Sequence, residues 1–137
     1  LKRINILEGS VRSGKTYISM IMWGFWVAAA PKEGAYLMAG KTLTTLRRNV
    51  LEPMCGLFGE CFTYSLSKKE ARLFGRKIYL EGAANAQAES KIRGMTLYGA
   101  YCDELSLFPE DFFAMLLSRL SVSGAKLIAT ARWSFST

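Results

Sequence analysis

The sequence predicts a three-layer α/β domain with a mainly parallel central sheet, and three observations carry that prediction. Short apolar runs of strand length alternate with longer helical patterns along the chain. A glycine-rich loop joins the first such run to the first helix, and a later apolar run ends in two adjacent carboxylates. The 137 residues, 50% of them apolar, suffice for one packed core and for a single domain.

The elements follow in order. Residues 3–7 read as a strand and 9–14 as a loop. Residues 15–29 read as a helix buried on most sides, because the run 17–30 is uncharged and rich in large aromatics, yet it is too short to span a bilayer. Pro31 and Gly34 stop it. Residues 35–39 form a second strand. Thr42 then caps a helix through Leu43, Leu46, Val50 and Leu51, with Arg47 and Arg48 on its outer side and Pro53 and Gly56 at its end. Residues 60–64 and 76–80 alternate as half-exposed strands around a basic polar stretch, 65–72, in the manner of a hairpin or edge strands. Residues 82–94 are small and polar and read as a loop with helical turns. Residues 97–102 are a third core strand, 109–120 an amphipathic helix with Glu110 and Asp111 in its first turn, and 126–130 the last strand.

Composition excludes several chemistries. The chain has no His, which removes Ser-His-Asp triads, Cys-His dyads and His-ligated metals. Cys55, Cys61 and Cys102 are odd in number and lack C-x-x-C spacing, so they read as buried apolar residues of a reducing compartment. Eighteen Lys and Arg against 11 Asp and Glu leave a formal charge of +7, which suits polyanionic partners. The N-terminus does not read as a signal peptide.

Gly9-Ser10-Val11-Arg12-Ser13-Gly14-Lys15-Thr16 matches the phosphate-binding pattern G-x-x-x-x-G-K-[ST], placed after a strand and before a helix as that motif requires. Its backbone N–H groups would face phosphates, Lys15 would reach the β- and γ-phosphates, and the Thr16 hydroxyl would ligate Mg²⁺. The pattern therefore predicts a P-loop NTPase. Asp103 and Glu104 end the third core strand at the edge where ligands of open α/β sheets bind. Asp103 can hold Mg²⁺ through water, and Glu104 can orient the water that attacks the γ-phosphate, as in RecA-like hydrolases of the ASCE group.

The chain resembles, over nearly its whole length, the ATPase half of the phage terminase large subunit, the motor that packages DNA into procapsids. The likeness rests on residues 9–16 with Arg12 inside the loop, on Gly40-Lys41-Thr42-Leu43 and Arg47-Arg48-Asn49-Val50-Leu51, on Ser90-Lys91-Ile92-Arg93-Gly94-Met95-Thr96 leading to Asp103-Glu104, and on Ser118-Arg119-Leu120 before residues 124–128. The resemblance implies that Arg12 contacts the phosphates. It also implies that Arg93 is an arginine finger offered to a neighbouring subunit, against the plain alternative of a solvated loop charge. Further implications are ATP and Mg²⁺ as ligands, double-stranded DNA as the load, a homo-oligomeric ring on the portal, the terminase small subunit as partner, no membrane, and the bacterial host cytoplasm as location. Lys41, Arg47, Arg48, Lys68 and Lys69 could meet DNA phosphates or simply be solvated.

Two departures shape the expectation. No clustered acidic ligands of a nuclease half are present, so residues 1–137 read as one ATPase domain without nuclease activity, apparently truncated at both ends. After Thr130 the family's Thr-x-Asn-Pro coupling pattern gives way to Ala131-Arg132-Trp133-Ser134-Phe135-Ser136-Thr137. Codons for residues 131–135 read one base later can encode Pro-Asp-Gly-Pro-Phe, which suggests a frameshift near Thr130 in a prophage relic, against the alternative of a natural short tail. Two other readings stay open: a catalytically weak nucleotide-binding or interaction module, and another P-loop ATPase of helicase-like or AAA+ type.

Overall fold

The computed structural model describes residues 1–9 and 14–132. Seven strands form one sheet: β1 (Ile4–Gly9), β2 (Ala35–Gly40), β3 (Phe62–Ser65), β4 (Glu70–Leu73), β5 (Arg76–Gly82), β6 (Leu97–Cys102) and β7 (Lys126–Arg132), in the order β1-β7-β6-β2-β5-β4-β3. The first five in that order pair in parallel, whereas β4 and β3 add an antiparallel flap. A parallel sheet needs cover on both faces, and its central strands are accordingly apolar throughout. Residues 36–40 of β2 are all buried.

Helices supply that cover. On one face lie α1 (Lys15–Ala29), α2 (Leu43–Leu46) and α3 (Glu52–Phe58), whose Met20, Trp23, Val27, Leu46 and Met54 pack against Tyr36, Met38, Tyr101 and Ile128. On the other lie α4 (Ala88–Arg93) and α5 (Glu110–Arg119), whose Ile92, Phe112 and Leu116 meet Leu37, Ala100, Leu127 and Ala129. The alternation of a strand divides neighbouring residues between the faces, as Ala100 and Tyr101 show. The three-layer, mainly parallel architecture predicted from the sequence is the one observed.

Several details differ from the expectation. Helix α1 is not buried on most sides: Tyr17, Ile18 and Phe25 are exposed, the last at 74%. An outer-layer helix touches the sheet along one stripe only, here Met20, Trp23, Gly24 and Val27. Pro53 and Gly56 do not end the helix after β2. Residues 47–51 form a wide π-helical turn in which the Glu52 N–H donates to the Arg47 carbonyl, and Pro53 then falls in the first turn of α3, where a missing N–H is tolerated. The helix ends instead at Gly59, with φ 57°. The stretch 65–72 contains part of β4, and β5 pairs with β2 on one side and β4 on the other, so it is an internal strand. The helical turns expected within 82–94 are α4, whereas β7 extends beyond the expected strand to Arg132. Of the three free cysteines only Cys102 is buried, while Cys55 is half-buried and Cys61 exposed.

Two contacts fix how α1 lies on the sheet. The Arg76 guanidinium on β5 donates to the Ala28 carbonyl at 2.9 Å and to the Ala30 carbonyl at 2.6 Å, giving the helix a cationic cap that its own last turn lacks. At Gly99 of β6 a Cβ would collide with the Trp26 ring and press on Trp23, so α1 sits closer to the sheet than any side chain there would allow. Gly99→Ala is therefore expected to lower stability by about 1–3 kcal/mol through overpacking. A urea titration would show a reduced midpoint at unchanged slope, and an unchanged midpoint would contradict this packing.

Candidate functional site

Parallel strands deliver their carboxyl ends to one edge, and the chemistry-bearing residues of this chain gather there. β1 ends at Gly9, β6 runs into Asp103-Glu104, β2 into Lys41, and β7 carries Thr130 and Ala131. Gly14, with φ 79°, turns the chain into α1, and Lys15 opens that helix. A left-handed residue at this junction suits glycine because it has no Cβ to clash.

Lys15 is buried, and its ammonium donates to the Gly9 carbonyl at 3.1 Å and the Ala131 carbonyl at 2.7 Å. Its Nζ also lies 3.5 Å from Oε1 of Glu104. One cation thereby ties the ends of β1 and β7 to the acidic pair. Such a buried charge is tolerable only with partners on several sides.

The acidic pair is held from its own side. Asp103 is buried, with its N–H donating to the Ala39 carbonyl at 2.8 Å. Its carboxylate accepts from Asn49 Nδ2 at 3.2 Å on one oxygen and from the Thr130 hydroxyl at 3.4 Å on the other. The same Thr130 oxygen accepts the Glu104 N–H at 2.9 Å. Glu104 itself sits at φ 58°, ψ 61°, a left-handed conformation that costs a non-glycine residue energy and tends to mark functional positions. Burial pushes the Asp103 carboxyl above the ordinary aspartate value and the charge of Glu104 adds to this, while the Asn49 and Thr130 hydrogen bonds and Lys15 pull it back. Oε2 of Glu104 is buried without a hydrogen-bond partner among the described residues.

These groups border a cleft of about 460 Å³ lined by Thr16, Lys41, Thr45, Arg48, Asn49, Asp103, Glu104, Leu107 and Arg132. Among the described residues no cluster of three or more His, Cys, Asp or Glu could hold a metal ion alone. The donor set instead fits Mg²⁺, which typically takes one or two protein oxygens and completes its shell with water and substrate phosphates. The Thr16 hydroxyl and the Asp103 carboxylate in one cleft are such a pair. No helix among the described residues is long and apolar enough to cross a membrane.

Of the residues singled out from the sequence, Gly9, Gly14, Lys15, Thr16, Asp103 and Glu104 come together here. Ser10, Val11, Arg12 and Ser13 lie outside the described residues, as do Trp133 to Thr137 of the tail. Arg93 does not line the cleft. It stands on the last turn of α4, its side chain 61% exposed and 3.3 Å from Glu89, and its carbonyl accepts from Arg119 at 2.7 Å. The basic residues considered for DNA divide: Lys41 and Arg48 line the cleft, Arg47 pairs with Glu52 at 3.7 Å, and Lys69 pairs with the buried Glu81 at 3.5 Å. Asn49 and Thr130 were missed as site residues. The polar spacing Thr45, Arg48, Asn49 opposite Leu46 and Val50 was the available signal for the first.

No protein-family model matches the chain, and no curated protein does. Solved structures do. The large terminase of a thermophilic bacteriophage is 33% identical, with a TM-score of 0.82 over 95% of this chain and 34% of its own. The same terminase in complex with ATP-γ-S matches at 31% identity and a TM-score of 0.80, over 95% of this chain and 32% of its own. The large terminase ATPase domain of a Thermus phage, 16% identical with a TM-score of 0.59 over 98% of this chain and 61% of its own, shares the fold. The chain thus spans about a third of the length of the terminase it matches first. In sequence and fold together the chain is similar to a stretch of a phage large terminase, and it shares the fold of the Thermus phage large terminase ATPase domain.

Proposed function

We propose that the cleft binds Mg·ATP and hydrolyses it, as the motor part of a terminase that drives double-stranded DNA into a procapsid. The observation that carries this reading is the meeting of Lys15, Thr16, Asp103 and Glu104 at one sheet edge, in a chain a third identical to a large terminase. The ATP-γ-S complex of that terminase supports ATP as the ligand.

Each residue of the site has a role in this reading. Lys15 exchanges its carbonyl partners for the β- and γ-phosphates, with α1 adding the positive end of its dipole. Thr16 and Asp103 hold Mg²⁺, which when bound neutralises charge on the phosphate oxygens. Glu104 is freed from Lys15 as that ammonium turns to the phosphates, and its unpartnered Oε2 then orients a water for in-line attack on the γ-phosphorus. Arg12 would reach the phosphates from within the loop. Arg93, its side chain exposed and in surface contact with Glu89, would act as a finger toward a neighbouring subunit's nucleotide in a homo-oligomeric ring. In the full-length protein that ring would stand on the portal, work with the terminase small subunit and act in the host cytoplasm. Residues 1–137 would contribute the ATPase domain and no nuclease activity.

Phosphate release from Mg·ATP by the purified chain, with and without duplex DNA, tests the reading. Lys15→Ala is expected to lose both nucleotide binding and turnover. Glu104→Gln should keep binding within a few-fold yet lose turnover by about 100-fold or more, since only the water-orienting group is removed. A wild-type chain that binds ATP through Lys15 but releases no phosphate would make it a nucleotide-binding module.

Asp103→Asn separates chemistry from stability. Because the folded carboxyl titrates above its unfolded value, its contribution to stability is present at low pH and lost as pH rises through the folded pKa. At pH 8 the ionised, buried carboxylate is a cost that the amide lacks. The variant is expected to be more resistant to urea than the wild type at pH 8, to lose that advantage near pH 4, and to lose Mg²⁺-dependent turnover. Equal resistance at both pH values would refute the assignment of burial as the dominant influence on Asp103.

A further inference from the structure

The wall of the cleft formed by the end of β2 and the π-helical turn carries two cations, Lys41 and Arg48, to which no role is yet given. Lys41 follows the end of β2, and Arg48 lies on the π-helical turn, residues 47–51, that directly follows α2. Three contacts fix which way this wall faces. Leu46 and Val50 are fully buried against the sheet, Asn49 donates to Asp103 at 3.2 Å, and Thr45, Arg48 and Asn49 share the remaining face at helical spacing. Arg47 makes an ion pair with Glu52 at 3.7 Å, whereas neither Lys41 nor Arg48 is in an ion pair among the described residues. Both are exposed and line the same cleft as Thr16, Asp103 and Glu104. Two cations that are in no ion pair among the described residues are placed for an anion that enters the cleft from outside.

The sheet order says which part of a nucleotide they would meet. The phosphate-binding loop hangs from β1, the acidic pair from β6 two places along, and Lys41 from β2 one place further. Adjacent strands are about 4.8 Å apart, so β2 ends one spacing beyond the acidic pair, within the reach of a lysine or arginine side chain. A phosphate chain anchored at Lys15 and Thr16 and extended toward Glu104 therefore advances on Lys41 and Arg48 with its terminal phosphate first.

We propose that Lys41 and Arg48 form a second cationic wall that recognises the terminal phosphate of a nucleoside triphosphate in the same subunit, so that the cleft distinguishes triphosphate from diphosphate. The inference rests on the nucleotide reading of the cleft. It assigns these two residues to the bound nucleotide and not to DNA. Asn49 keeps the wall in register with Asp103, because one amide joins the π-helical turn to the carboxylate beside the phosphate.

The test is calorimetric titration of the purified chain with ATP-γ-S and with ADP, in Mg²⁺, for the wild type, Lys41→Ala, Arg48→Ala, Arg48→Lys and Arg47→Ala, with thermal midpoints measured alongside. Losing a charge-assisted contact to the terminal phosphate should raise the dissociation constant for ATP-γ-S about tenfold in Lys41→Ala and in Arg48→Ala. ADP affinity should change by less than about twofold, Arg48→Lys should recover part of the loss, and Arg47→Ala should match the wild type for both ligands. Equal losses for both nucleotides, no loss for ATP-γ-S, or a loss seen only in duplex DNA binding would overturn the proposal. If the wild type binds both nucleotides through Lys15 but Arg48→Ala does not discriminate, this inference alone falls. If the wild type binds neither, the nucleotide reading falls with it.

Discussion

A parallel sheet can be buried on both faces but cannot hide its ends, and the rest of this molecule follows from that constraint. Helices occupy each face, so the β2 and β6 interiors become largely apolar surface and charged groups find no place along them. Polar chemistry is displaced to the carboxyl edge, where four neighbouring strands end side by side. The close approach of α1 at Gly99 and its cap by Arg76 then set where Lys15 begins. The packing of one helix thus positions the first charged group of the site.

At that edge a few buried groups do the positioning. The Thr130 hydroxyl takes the Glu104 N–H and gives its own proton to Asp103, so one side chain from β7 holds the Asp103 carboxylate and the Glu104 backbone. Lys15 closes the arrangement from the start of α1 by holding the Ala131 carbonyl and Glu104 together. The strained backbone of Glu104 persists because these contacts surround it. Asn49 arrives from a different layer altogether, through a helix widened by one π-helical turn. Such turns are often found at functional sites, since they re-aim a side chain without breaking the helix.

The phosphate-binding loop and the acidic pair were legible because each is contiguous in sequence, and a local pattern needs no knowledge of the fold. Asn49 and Thr130 were not legible as site residues, because their partner lies far along the chain: 54 residues separate Asn49 from Asp103, and 27 separate Thr130 from Asp103. Pro53 misled for a related reason. A proline stops a helix by local rules, but a widened turn before it removes the clash, and the burial of Val50, Leu51 and Met54 favours continuing. Cys61 and the outer side of α1 misled through composition, since an apolar residue type does not say whether anything is left to cover it.

By itself the sequence determined the fold class, the order of its main elements and the two motifs of the site, because hydrophobic periodicity, glycine and proline act over a few residues. Tertiary structure alone decided the strand order, the internal place of β5, the exposure of one side of α1 and the second wall of the cleft. Those features depend on which distant segments compete for the same buried surface and the same hydrogen-bonding partners. That competition is settled only when the whole chain packs.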